Sequence, residues 1–203
     1  MKDGKTVIIA TRNPGKLKEF QAFFGQFGWK VQGLNDFPDV PEIVEDGRTF
    51  EENARKKAEA LFDWTKRPVL ADDSGLEVDA LDGRPGVYSA RYAGEGATDG
   101  QNIAKLLAEL QGVPAGRRQA RFRCVLVFIL DEGRQLVAEG TCEGIILEKP
   151  RGDGGFGYDP VFFVPALGKT MAELSAEEKN RISHRGAALR QLAERMADCQ
   201  IVP

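Results

Sequence analysis

Residues 119–130 and 135–147 form two long, largely apolar stretches separated only by Asp131-Glu132-Gly133-Arg134. Stretches of that length joined by a short polar link containing glycine specify a long β-hairpin, which is antiparallel by construction. The start of the chain asks for something else. Residues 6–11 are a short apolar run, and from Gly15 to Phe27 the side chains Leu17, Phe20, Phe23, Phe24 and Phe27 recur on one helical face. Strand, loop and helix in that order open an α/β unit. One sheet accommodates both demands only if it is mixed, so the expected fold class is α/β, a central mixed β-sheet with a long antiparallel hairpin, flanked by helices.

The remaining signals fit this frame. A strand is expected near residues 29–34, and after a polar loop Thr49 with Glu52 has the capping-box spacing that opens a helix reaching about Asp63. Pro68-Val69-Leu70-Ala71 returns to the sheet, and Thr98 with Gln101 caps a helix carrying Ile103, Leu106, Leu107 and Leu110, ended by Pro114 and Gly116. Ser175 with Glu178 caps a short helix, and residues 185–197 place Ala188, Leu189, Leu192 and Met196 on a last amphipathic face. No Ser- or Pro-rich linker divides the 203 residues, so a single domain over 1–203 is expected.

Charge and cysteine usage exclude several classes. The chain has 28 basic and 31 acidic residues, net charge −3, with no block of like charge, which argues against nucleic acid or a membrane surface as partner. The apolar run 124–130 is far short of a membrane span and residues 7–10 are too short for a signal-peptide core, so a soluble, cytoplasmic chain is expected. Cys124, Cys142 and Cys199 are odd in number and widely spaced, which favours neither disulfides nor a thiolate metal site. His184 is the single histidine, so any metal must be held by oxygen.

Four segments carry candidate chemistry. Thr11-Arg12-Asn13-Pro14-Gly15-Lys16 lies between the first strand and first helix, where amides, the helix dipole and a lysine suit a phosphate chain; the alternative is an ordinary Asn-Pro-Gly turn. In Ala71-Asp72-Asp73-Ser74-Gly75, adjacent carboxylates face opposite ways if strand geometry continues, and Asp73 is placed in the site, to bind Mg²⁺ or take a proton from water; the alternative is a hydrogen-bonded turn. Glu45, in the polar loop before the second helix, is a second metal-ligand candidate. In 152–165, GDGGFGYDPVFFVP, four glycines surround Phe156, Tyr158 and Asp159, a cradle for a planar hydrogen-bonding ligand or a tight turn into a strand at 161–164. Lys179 to Gly186, with Lys179, His184 and Arg185, reads as a phosphate and base clamp in a break between helices, or as a solvated helix end.

Together these segments resemble the inosine/xanthosine triphosphate pyrophosphatases, a family acting on non-standard purine nucleotides. The resemblance runs through TRNPGK at 11–16, ENARKKA at 52–58, ADDSGLEVDAL at 71–81, GRPGVYSARYAG at 83–94, GGFGYDPVFFVP at 154–165 and EKNRISHRGAAL at 178–189. It implies two lobes with the active site in the cleft between them. It also implies that Thr11, Arg12, Asn13, Pro14, Gly15 and Lys16 wrap the triphosphate, with Lys57 reaching it from the second helix. Glu45 and Asp73 would hold Mg²⁺, Asp73 would be the proton acceptor, and Ser74 would touch substrate. Phe156, Gly157, Tyr158 and Asp159 would hold the purine, and Lys179, His184 and Arg185 would complete the pocket. Arg12 departs from the glycine of many relatives.

The implied reaction is Mg²⁺-dependent hydrolysis of ITP, dITP and XTP to the monophosphate and pyrophosphate, which clears deaminated purines from the nucleotide pool. The implied assembly is a homodimer, with Gly86-Val87-Tyr88, flanked by Arg84 and Arg91, as candidate contact. A nucleotide sensor without activity and an enzyme acting on damaged purines in DNA are the rival readings. Pyrophosphate release separates the first and salt-dependent duplex binding the second.

Overall fold

Strand β1 (Thr6–Ile9) buries Val7, Ile8 and Ile9 completely, and the chain then turns into helix α1 (Pro14–Gly25). The turn is set by Asn13, whose side-chain oxygen accepts from the N–H groups of Gly15 and Lys16 at 2.8 and 3.1 Å, with Pro14 preset for the first helical position. β2 (Lys30–Gly33), α2 (Phe50–Thr65) and β3 (Val69–Val78) follow, and both β2 and β3 pair parallel to β1. After α3 (Asp99–Glu109), strands β4 (Gln119–Asp131) and β5 (Arg134–Ile146) make the hairpin. The short β6 (Phe162–Val164) and β7 (Lys169–Thr170) add antiparallel to β5, and α4 (Ala176–Ile182) and α5 (His184–Asp198) end the chain. The result is one mixed seven-stranded sheet in the order β2-β1-β3-β4-β5-β6-β7. These elements come from a computed structural model, which describes residues 5–202.

The structure departs from the sequence expectations in four places. β3 does not stop at Ala71 but runs through both aspartates to Val78, so Asp72 and Asp73 lie inside a strand and not in a turn. At α2 the Thr49 hydroxyl accepts from Glu52 N–H, but the Glu52 carboxylate takes the N–H of Arg48, whereas the boxes of Thr98 with Gln101 and Ser175 with Glu178 close reciprocally. β6 begins one residue later than expected, at Phe162. Between α4 and α5 only Ser183 lies outside a helix, which puts Lys179 on α4 and His184 and Arg185 in the first turn of α5.

Packing divides the chain into two units. The first comprises residues up to Asp73, Val125–Glu139 and those from Ala188 onward; the second comprises Ser74–Cys124 and Gly140–Ala187. In the first, Ala54, Ala58, Leu61 and Phe62 of α2 pack on Ile8, Val69, Ala71, Val127 and Ile129. Phe24 of α1 instead meets Phe128, with ring centroids 5.8 Å apart. Because neighbouring strand residues point oppositely, Phe128 against Val127 and Ile129 places α1 and α2 on opposite faces of the sheet. Each fully buried phenylalanine here, such as Phe20 and Phe24, contributes roughly 1.5–3 kcal/mol relative to exposure. In the second unit, Leu76 and Val78 share a core with Leu106, Leu110, Phe122, Tyr158 and Phe162. Among the described residues no helix is long and apolar enough to cross a membrane.

Candidate active site

The alternation along β3 decides where its two carboxylates go. Asp72 shares the parity of Leu70 and faces α1, where Lys16 Nζ donates to its Oδ2 at 2.8 Å; the Asp72 side chain is 2% exposed. Asp73 shares the parity of Val69 and Ala71 and faces α2, where Asn53 Nδ2 donates to its Oδ2 at 3.0 Å. Adjacent acids thus acquire different partners from one peptide step.

Lys57, on α2 and largely buried, donates to Glu45 Oε2 at 2.9 Å. Burial opposes its charge, yet the carboxylates of Asp72, Asp73 and Glu45 outweigh that, and the ammonium is held above its ordinary pKa. Asp73 is raised above the usual carboxylate range, first by burial, then by the nearby Glu45 and Asp72, against the opposing pull of Lys57 and Asn53. A carboxylate with that bias is a better proton acceptor than an exposed aspartate.

A cavity of about 430 Å³ is lined by Thr11, Arg12, Lys16, Glu45, Lys57 and Asp72, with Leu34, Val40 and Ile43 on its apolar side. Thr11 is buried and its hydroxyl accepts from Asn13 N–H at 3.1 Å. The N–H groups of Gly15 and Lys16, which the sequence reading offers to phosphate, are engaged by Asn13, so the cations of Arg12, Lys16 and Lys57 carry the attraction for an anion in this cavity. Among the described residues no three His, Cys, Asp or Glu side chains are grouped to hold a metal. Glu45 and Asp73, both acting on Lys57, are a two-carboxylate oxygen set, which suits Mg²⁺ because that ion keeps waters and takes phosphate oxygens beside one or two carboxylates.

The second unit carries the glycine-rich turn. Asp159 is 3% exposed and its Oδ2 accepts from Phe156 N–H at 2.9 Å and from Lys179 Nζ at 2.5 Å. Gly155 sits at φ +75°, and a Cβ there would stand 2.1 Å from that same oxygen, so only glycine passes. The N–H of Gly157 donates to Asp99 Oδ2 at 2.7 Å, and the Tyr158 hydroxyl donates to Ser89 O at 2.7 Å, with burial pushing the phenol pKa up. The phenol and carboxylate that the sequence offers to a ligand are therefore turned inward, and Phe156 is the exposed side chain of the turn, 55% accessible, with Lys179 Nζ 4.5 Å from its ring centroid. His184 stacks on Phe122 at 5.1 Å and 23°, and Arg185 is buried beside it. Ser74, half-buried on β3, also belongs to this unit.

The first unit thus brings together Thr11, Arg12, Lys16, Glu45, Lys57 and Asp73, and the second brings together Phe156, Gly157, Tyr158, Asp159 and Lys179. Two residues escaped the sequence reading. Asn53 lies one helical turn before Lys57 on the same face of α2, which was the available signal, and Asp99 reads as an ordinary first-turn acid of α3. Asp159→Ala should destabilise the fold by about 3 kcal/mol, since it strands the Lys179 ammonium and the Phe156 N–H. Urea unfolding measures it, and a loss under about 1 kcal/mol would show the turn to be held by its other contacts.

A family model described as the Ham1 family matches residues 7–195. A protein of Geobacillus kaustophilus (strain HTA426) named dITP/XTP pyrophosphatase is 60% identical over 190 residues, covering 94% of this chain and 93% of that one. One of the same name from Geobacter sulfurreducens is 54% identical, covering 94% and 96%. The solved structure of the Staphylococcus aureus Ham1 protein superposes with TM-score 0.89 at 44% identity over 96% of this chain and 99% of that one. A HAM1 protein from Coxiella burnetii superposes with TM-score 0.89 at 43% identity over the same shares.

Proposed function

Because the chain belongs to the Ham1 family, we propose that it hydrolyses non-standard purine nucleoside triphosphates, ITP, dITP and XTP, to the monophosphate and pyrophosphate. The observation that carries the reading is the cavity lined by Lys16, Lys57, Asp72 and Glu45, with Asp73 near enough to act on Lys57: cations for a triphosphate beside carboxylates for a metal and a proton.

In the proposed reaction a water oxygen bonds to the α-phosphorus, the bond from that phosphorus to the β-bridging oxygen breaks, and pyrophosphate leaves with the electron pair. Asp73 takes the proton of the attacking water, a role its raised pKa favours. Lys16, Lys57 and Arg12 hold the phosphate oxygens and offset the charge that gathers on the leaving group. Glu45 and Asp73 would hold Mg²⁺, which when bound neutralises phosphate charge and makes water more acidic. Phe156 offers its exposed face to the purine ring, with Lys179 Nζ 4.5 Å from its ring centroid, and the family resemblance assigns Ser74, Gly157, Tyr158, Asp159, His184 and Arg185 to the substrate as well. ITP and XTP carry a 6-oxo acceptor where ATP has a 6-amino donor, so donors such as Arg185 favour the former.

On this reading the substrate is a free nucleotide of the cytoplasm, not nucleic acid, and the near-balanced charge fits that. The working unit is a homodimer, supported by Tyr88, 56% exposed with the Arg91 guanidinium 5.3 Å from its ring centroid. A pyrophosphate-release panel over ITP, dITP, XTP, GTP and ATP, with and without Mg²⁺, tests the reading. The three non-standard substrates should exceed ATP by roughly 100-fold or more in kcat/KM, and activity should vanish without the metal. Equal use of ATP, or no pyrophosphate from any of them, overturns it.

A further inference from the structure

Asn53 is 1% exposed on α2 and uses both ends of its amide. Its Oδ1 accepts from the backbone N–H of Gly47 at 2.7 Å, and its Nδ2 donates to Asp73 Oδ2 at 3.0 Å. Gly47 lies two residues beyond Glu45 in the polar loop, and a Cβ on Gly47 would stand 2.6 Å from Asn53 Oδ1, so the loop is seated directly on the amide.

We propose that Asn53 is a positioning residue, whose amide clamps the Glu45 loop to β3 and so sets the separation and orientation of the two carboxylates that serve the reaction. The inference rests on the functional reading above. Only an amide fits the role: the oxygen must accept from a backbone N–H while the nitrogen donates to a carboxylate, and neither an acid nor an aliphatic chain does both. Burial makes the pairing strict, because an unmet partner on either side has no water to turn to. A clamp of this kind acts on turnover and on metal affinity while leaving nucleotide binding to the lysines.

Asn53→Asp separates positioning from mere folding. It keeps the acceptor for Gly47 N–H, and with it the loop, but places an oxygen where Asp73 had a donor. Asn53→Ala removes both ends. Measured with ITP and Mg²⁺ at a temperature where all are folded, each variant should lose at least tenfold in kcat with KM within about threefold of the parent; Asn53→Asp, which sets a buried carboxylate against that of Asp73, should melt below the parent without metal and recover when Mg²⁺ is added. Mn²⁺ binding followed by electron paramagnetic resonance, without nucleotide, should weaken severalfold in Asn53→Ala and tighten in Asn53→Asp, which gains a third carboxylate. Unchanged kcat, or Mn²⁺ affinity within twofold of the parent in both variants, overturns the clamp. If the parent itself released no pyrophosphate, the functional reading would fail while the Mn²⁺ titration still decided the clamp.

Discussion

Asp73→Asn should lower the turnover of ITP by about 10²–10⁴-fold while leaving the fold intact, because in the proposed reaction it removes the proton acceptor and one metal-binding charge without changing shape. The same substitution should raise stability in the absence of metal. Burial holds the Asp73 carboxyl above its ordinary value near 3.8, so as pH rises from there the unfolded chain loses this proton first. Folded stability therefore falls as pH rises from the unfolded value through the raised folded one. An asparagine never bears that cost, so the melting temperature of the metal-free variant should exceed the parent's at pH 7 and converge with it in acid. Thermal melts at several pH values in a chelator, paired with kinetics, check both halves. Near-parental turnover would remove Asp73 from the chemistry, and a lower melting temperature at pH 7 would mean that its pull on Lys57 outweighs its burial.

Lys57→Met should cut kcat/KM by about 10²–10³-fold, alike for ITP and ATP, since phosphates carry no base identity. The methionine keeps the stem and removes the charge that Glu45, Asp72 and Asp73 share. Asp72 keeps Lys16, but Glu45 and Asp73 lose the cation they share, so the metal-free variant should melt below the parent, and Mg²⁺ should recover more of its stability than it adds to the parent. Calorimetric melts with and without Mg²⁺ report this directly. A loss confined to ITP would move Lys57 from the phosphates to base recognition.

The hairpin and the capped helices are legible in the amino-acid sequence because each is set by residues a few positions apart: Thr98 with Gln101, Ser175 with Glu178, and the apolar runs on either side of Asp131 to Arg134. β3 beyond Ala71 is not legible. Asp-Asp-Ser-Gly has poor strand propensity and a good turn composition, and the strand persists because Leu76 and Val78 find a core that no local window contains. The charged residues of the candidate site stand out in the sequence since ions need partners, and the structure puts Lys16, Glu45 and Lys57 on the wall of one cavity. The inward turn of Tyr158 and Asp159 was hidden, because their partners Ser89 and Lys179 are remote in sequence. Asn53 and Asp99 are quieter still: a neutral amide inside a helix and an acid in a helix's first turn look locally like any other.

The opposed facing of Asp72 and Asp73 has a consequence for how genes of this kind can change. Removing or adding one residue in β3 between Val69 and Ala71 would exchange the partner helices of the two aspartates, and with them the apolar residues packed on either side. Point substitutions there alter one contact at a time, but a single-codon insertion or deletion inverts the whole arrangement at once. Length variation among descendants of this chain should therefore collect in loops such as 132–133 at the hairpin tip, and spare β3 altogether.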